Sequence, residues 1–288
     1  MQFGAVLPHN EIGTDPGAIT AYAQGLEELG AVNLLVYDHV IGAERERPGG
    51  FAGPYDKDTA FHEPFTVLSF IGAVTRRLEL VTAILILPQR QTVLVAKQAA
   101  ELAVLSGNRL RLGIGTGWNA VEFVALDEPF TNRGRRQAEQ VEVMRLLWEN
   151  DVVDFDGEFH RIELAGIKPR PSVPIPVWFG GAAPALLERC ATLADGWVPL
   201  GTPNDSSRQR IATIREHREA QGRSMDGFAI QAQAQYAGGD PERWRTHAER
   251  WRELGATHLS VATHNAGPTD VDGHLQRVAE YLDAVSHV

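Results

Sequence analysis

The chain has 288 residues, 43% of them hydrophobic and 22% charged, with a net charge of −10 and a pI near 5.5. That length can bury a large core, as one big α/β domain or two ordinary ones. The acidic balance excludes a general nucleic-acid binder, which needs a basic surface, but not an anionic cofactor held by a few local donors.

In chain order, short apolar runs alternate with amphipathic helical patterns. Gln2–Pro8 reads as a strand, and a helix over Asp15–Leu29 follows, with Thr14 as its N-cap, Pro16 near its first position and Gly30 as its stop. Val32–Tyr37 is the second strand. The Gly-, Pro- and charge-rich stretch Ile41–Phe61 is long for a connection and reads as a functional loop. A helix over Pro64–Arg76, a strand over Leu78–Leu87 and a helix over Thr92–Leu105 come next, and "SGN" ends that helix before the strand Arg109–Gly115. The residues after it are not clearly helical. Arg133–Glu149 is a helix, and "VVDFDGEFHRIE" is a two-stranded ribbon around a "DG" turn. Pro176–Gly180 is a strand, Pro184–Leu193 a helix, Trp197–Leu200 a short strand and Ser206–Gln221 a helix. Phe228–Tyr236 and His258–Thr263 are strands, followed by helices over Pro241–Leu254 and Val271–Val285.

About eight strand–helix pairs run without a linker between them. Strands alternating with helices imply a parallel sheet, and this number suits one (β/α)8 TIM barrel over residues 1–288, with insertion loops at the C-terminal face of the strands. The single cysteine, Cys190, excludes an internal disulfide and a Cys-based zinc site, and reads as a small core residue. "MQFGAVLPHN" lacks the basic region of a signal peptide, and "LELVTAILILP" is too short for a membrane span. A cytoplasmic protein is the expectation.

In such a barrel the site lies where strands end. Those ends carry His9, Asp38 and His39, Gln89 and Arg90, Thr116 to Asn119, Gly180 and Gly181, and His264. Glycine stands at every second position in Gly113, Gly115 and Gly117. Alternate strand residues share a face, so one face is nearly bare and takes either a closely packed backbone or a planar ring. "GTGWNA" satisfies G-x-G-x-x-A through Gly115, Gly117 and Ala120, but no acid ends a second strand about twenty residues on, as a dinucleotide fold requires. Gly180-Gly181 opening a helix is either an anion site of backbone N–H groups or a plain turn. Asp38-His39 is a strand-end hydrogen bond, a cofactor contact with acid–base capability, or part of a metal set with His9 and His264. No metal-binding spacing supports the last reading, so no metal is expected.

Together, "RLRLGIGTGWNAVEF", "RRQAEQVEVMRLLW", "FDGEFH" and "KPRPSVPIPVWFGGAAPALLERCATLADGW" resemble the luciferase-like monooxygenase superfamily, within it the oxidoreductases that use the deazaflavin coenzyme F420. The resemblance implies a barrel binding a flavin-like ring at the strand C-termini, with a non-prolyl cis peptide at Ala83–Ile84. It matches Asp38-His39, the glycine-rich Gly115-Thr116-Gly117 and a phosphate loop at Gly180-Gly181-Ala182. A homodimer is implied as well. Two departures stand out against the sugar-phosphate dehydrogenases of this group. "DHVIGAE" lacks their tryptophan, and Trp118 occupies the place of their glutamate, which leaves His39 as the proton-transfer candidate.

The expected function is hydride transfer between F420 and a small organic substrate. His39 is the catalytic candidate, and His9, Trp118 and His264 line the substrate pocket. The cofactor carries the hard step and the protein orients it. The alternatives are an FMN-dependent monooxygenase using oxygen, a metal-dependent barrel hydrolase, and a non-catalytic cofactor-binding protein.

Overall fold

The computed structural model describes residues 1–267 and 270–288. Its elements are β1 (Gln2–Val6), α1 (Pro16–Glu28), β2 (Asn33–Val36), α2 (Pro64–Val74), β3 (Glu79–Ile86), α3 (Thr92–Ser106), β4 (Leu110–Gly115), α4 (Ala120–Ala125), α5 (Arg133–Glu149), β5 (Val153–Asp156), β6 (Arg161–Ala165), β7 (Val177–Gly180), α6 (Pro184–Leu193), β8 (Gly196–Val198), α7 (Asp205–Ala220), β9 (Ala229–Gln235), α8 (Pro241–Glu253), β10 (His258–Ala262) and α9 (Val271–Val285). Strands β1, β10, β9, β8, β7, β4, β3 and β2 close in that order into a parallel barrel, and β5–β6 forms a separate antiparallel ribbon. This is the expected (β/α)8 barrel. Among the described residues no helix is long and apolar enough to cross a membrane.

Two local readings are corrected. Asp15 caps α1 in place of Thr14, its carboxylate accepting the N–H groups of Gly17 and Ala18 at 3.2 and 3.1 Å. A carboxylate also answers the positive end of the helix dipole, which a hydroxyl does not. The residues after Gly117 do form a helix, the short α4, where the Asn119 side chain accepts the Val121 N–H at 3.1 Å.

The glycines of β4 are explained by β3. The two strands pair through Thr82 and Leu112, then resume at Leu85 and Ile114. The extra residue on β3 is a bulge. It contains a cis Ala83–Ile84 peptide, and the Ile84 side chain lies over the β4 glycines. A Cβ on Gly115 would stand 2.1 Å from Ile84 Cδ1, and one on Gly180 2.6 Å from the same atom. A Cβ on Gly113 would stand 2.1 Å from the Thr82 carbonyl oxygen. The bare face is therefore filled by the protein itself. The expectation of a ring lying directly on these glycines is corrected: Gly115 and Gly180 make room for Ile84.

Gly113→Ala is expected to destabilise the barrel by about 1–3 kcal/mol. Its neighbour is backbone, further locked by the Thr82 hydroxyl donating to the Gly113 carbonyl at 2.7 Å. An unchanged urea midpoint would refute this packing.

Side chains from the strand starts fill the barrel floor. Arg111 is 1% exposed and bonds Gln231 at 3.0 Å and Glu79 at 2.8 Å, with Trp178 4.0 Å beneath its guanidinium. Burial lowers its pKa to about 10. Such a plug at the N-terminal end serves stability. Cys190 is buried in the core as expected, and burial pushes its thiol pKa up.

Burial also pushes the histidine pKa values down, to about 3 for His9 and His258 and about 4 for His247 and His274. A histidine depressed in the folded state binds protons better when unfolded, so stability present above pH ~6.5 drains as the pH falls toward the folded value. For His9, which is 2% exposed, the loss between pH 7 and pH 4 is on the order of 3 kcal/mol. A melting temperature that holds steady over that interval would contradict it.

Candidate active site

The ends of β2, β3, β4 and β7 surround a cavity of about 450 Å³. Its floor is Ala83 and Ile84. Thr116, Gly117 and Trp118 line the cavity after β4, and Gly180 to Ala183 line it after the neighbouring β7. Tyr37, Asp38, His39, Tyr55, Glu122 and Gln233 complete it. A second lobe of about 530 Å³ shares Ala83, Ile84, Gly180, Leu200 and Gln233, and reaches Arg243 and His247.

Asp38 and His39 are neighbours with separate tasks. Asp38 is 4% exposed. It accepts the Ile86 N–H at 2.8 Å on one oxygen and the Arg90 guanidinium at 2.8 Å on the other. Arg90 also donates to Glu63 at 2.9 Å. This ion pair fastens the end of β2 to the end of β3. Burial raises the Asp38 carboxyl pKa, against the opposing pull of Arg90 and the Ile86 N–H. Burial opposes the Arg90 charge too, but Asp38 and Glu63 outweigh it and hold that guanidinium above its usual value.

His39 Nδ1 lies 2.8 Å from Oε1 of Glu122, which is itself 1% exposed. The other Glu122 oxygen accepts the Gln89 amide at 2.9 Å. With Glu122 as acceptor, Nδ1 carries the proton and Nε2 is left with a lone pair. A buried carboxylate that orients an imidazole is the arrangement general acid–base chemistry needs. Tyr55, Phe61 and Trp118 surround the ring at centroid distances of 5.0, 4.7 and 6.0 Å. Trp118 in turn stacks on Phe51 of the long 41–61 loop at 6.1 Å, so that loop covers the cavity mouth.

The loop from β7 to α6 offers backbone donors. The Gly181 N–H is used by the Val198 carbonyl at 3.3 Å, whereas the N–H groups of Ala182 and Ala183 carry no backbone partner. The α6 N-terminus has no side-chain cap. Among the described residues the free backbone N–H groups of this loop are therefore those of Ala182, within the expected Gly180-Gly181-Ala182, and of Ala183 beyond it, whereas the Gly181 N–H is taken.

His9 and His264 do not line the cavity; they stand behind Tyr37. His264 stacks on Tyr37 at 6.0 Å, and His9 packs on Phe61 at 4.5 Å while its Nδ1 bonds the Leu7 carbonyl at 3.0 Å. They are corrected from pocket residues to supports of Tyr37, whose hydroxyl donates to Gln233 at 2.9 Å. Among the described residues no three His, Cys, Asp or Glu side chains converge as a metal site.

Glu122 went unread in the sequence, although "NAVE" carries the spacing of an N-cap followed by a first-turn glutamate. Its carboxylate lies one helical turn beyond Trp118, in the first turn of α4.

Residues 1–287 match the luciferase-like monooxygenase family. The chain belongs to that family. An uncharacterised protein from Mycobacterium tuberculosis is 40% identical over 179 residues, 59% of this chain and 62% of the relative. The F420-dependent glucose-6-phosphate dehydrogenase of the same organism is 31% identical over 207 residues, 68% of this chain and 61% of that enzyme. Both alignments span less than two thirds of the relative's own length. Among solved structures, an F420-dependent secondary alcohol dehydrogenase in complex with an F420–acetone adduct superposes with a TM-score of 0.81 at 18% identity, covering 99% of this chain and 98% of the other. That likeness is one of fold.

Proposed function

We propose that this luciferase-like protein is an F420-dependent oxidoreductase that transfers a hydride between the cofactor and a small, uncharged organic substrate. The observation that carries the reading is the His39–Glu122 pair, set beside a cavity floored by Ala83–Ile84 and walled by Ala182 and Ala183. The F420-dependent glucose-6-phosphate dehydrogenase relative supports the choice of cofactor.

The residues present fit such a group. The unpartnered Ala182 and Ala183 N–H groups, at the uncapped start of α6, suit a phosphate. When bound, F420 supplies the carbon that gives or takes the hydride. Ile84 and the small residues 180–183 shape the seat. Tyr37 and Gln233 present a hydroxyl and an amide at the wall. His39 Nε2 takes or returns the substrate proton while Glu122 holds the ring. Among the described residues no lysine or arginine lines the lobe that holds His39, the nearest being Arg243 in the second lobe, which disfavours a phosphorylated sugar beside His39 and favours a neutral carbonyl or alcohol.

Separate titrations with F420 and FMN, followed by a substrate screen with whichever binds, test the reading. Tight F420 binding and substrate-dependent loss of the deazaflavin absorbance are expected. FMN bound tightly with F420 ignored would replace it with the oxygen-dependent alternative, and F420 binding without turnover would leave a binding protein.

A further inference from the structure

Among the described residues the lobe that holds His39 has no lysine or arginine, yet the rim beside its α6 wall does. The α5 start, "NRGRRQ", places Arg133, Arg135 and Arg136 near α6. Arg135 and Arg136 are neutralised by Glu158 and Glu128. Arg133 and Arg189 have no ion pair among the described residues. Arg133 donates to the Phe130 carbonyl at 2.8 Å and lies 3.7 Å over the Phe130 ring, with its Nε buried and unbonded. Among the described residues Arg189 forms no hydrogen bond, its Nε is also buried and unbonded, and burial lowers its pKa despite Glu188 next to it in sequence.

The two elements touch here. A Cβ on Gly134 would meet the Arg189 guanidinium at 3.1 Å. One turn along α5, on the face of Arg133, Gln137 is fully buried with both amide atoms unbonded. Two buried guanidinium Nε atoms and a buried amide, all unbonded among the described residues, are uncommon in one place and point to a missing partner. The path back to the cavity is short. Leu186 lines the cavity and precedes Arg189 by three residues on α6, and helical side chains lean toward the N-terminus. Arg189 thus reaches back along a helix whose first turn begins about 9 Å away, at Ala183.

We infer that the α5–α6 rim, through Arg189 and Arg133, is a subsite for the carboxylate tail that extends from the cofactor phosphate. The inference rests on the F420 reading. F420 carries glutamyl carboxylates beyond its phosphate, and FMN carries none. A chain of net charge −10 repels such a tail unless uncompensated cations meet it at contact range, inside the screening length. Guanidiniums with free donors suit carboxylates. The rival cation, Arg243, lines the second lobe and donates to the Ala237 carbonyl at 2.5 Å, much as Arg133 donates to Phe130, so substitutions must set the two positions against each other.

The test compares three deazaflavins by fluorescence titration: one ending at the ribityl group, one with phosphate but no glutamate, and one with several glutamates. Wild type is expected to prefer the glutamylated form over the glutamate-free form by about tenfold at low salt, with the preference shrinking as salt rises. Arg189→Met removes the preference and leaves affinity for the ribityl form unchanged, and Arg133→Met reduces it. Equal affinities of wild type for the two phosphate-bearing forms overturn the tail site and leave the F420 reading standing. Failure of all three to bind overturns that reading and the tail site together. Loss of the preference in Arg243→Met with retention in Arg189→Met overturns the inference as well. The wild-type comparison needs no variant, so a misfolded substitution does not spare it.

Discussion

Arg90→Ala is expected to destabilise the protein by about 3–5 kcal/mol, the range for stranding one partner of a buried ion pair. Its partner Asp38 has a side chain only 1% exposed, and Arg90 is 14% exposed. Without the guanidinium, the carboxylate keeps only the Ile86 N–H at 2.8 Å. Burial already raises the Asp38 pKa, and removing the opposing charge lets it rise further. A carboxyl that holds its proton more tightly when folded than its unfolded value of about 4 destabilises the fold as the pH climbs through that interval. The deficit of Arg90→Ala is therefore largest at neutral pH and shrinks toward pH 4. Pairing it with Asp38→Asn removes the stranded charge and restores part of the loss. Urea unfolding at two pH values reads both effects, and a deficit indifferent to pH would show that Asp38 is not the group left exposed to burial.

Some of this architecture was legible in residues alone. The 3.6-residue periodicity of 184–193 and 271–285, with Pro184 at the start of the first, marked α6 and α9 to the residue. The glycine alternation of β4 was equally visible, but its meaning was not. Whether a bare strand face receives a ligand or a side chain depends on a bulge in the neighbouring strand β3, at Ala83–Ile84, about thirty residues away in sequence, and no local pattern reports which side chain turns inward there. Asp38 and Arg90 were both named at strand ends, yet 52 residues separate them and only closure of the barrel makes them a pair. His9 and His264 failed differently. Position along a strand says where a side chain begins, whereas packing against Tyr37 and Phe61 decides what it faces. Glu122 was missed because a carboxylate was sought at Trp118 and the following turn was read as irregular.

Glu122 also carries the largest expected effect on turnover through a residue other than the proton carrier. His39→Gln removes the proposed general acid–base and is expected to lower kcat by about 10²–10⁴. Glu122→Ala acts through His39: the Nδ1 partner at 2.8 Å disappears, and the Gln89 amide loses its acceptor at 2.9 Å. The ring is then free to rotate or to carry its proton on Nε2, the nitrogen that must accept one. A loss in kcat of about 10–100-fold follows when the partner that orients such a ring is removed, with cofactor affinity largely kept because the proposed phosphate donors, Ala182 and Ala183, lie apart from it in the loop before α6. Glu122→Gln keeps one acceptor oxygen and is expected to retain more activity than Glu122→Ala, although a misplaced amide donor could not hold the same tautomer. The decisive comparison is the double variant. If Glu122 works only by orienting His39, then Glu122→Ala costs nothing more once His39→Gln is in place, and the two losses are strongly non-additive. Losses that multiply would mean that the carboxylate acts on the reacting atoms by its own route.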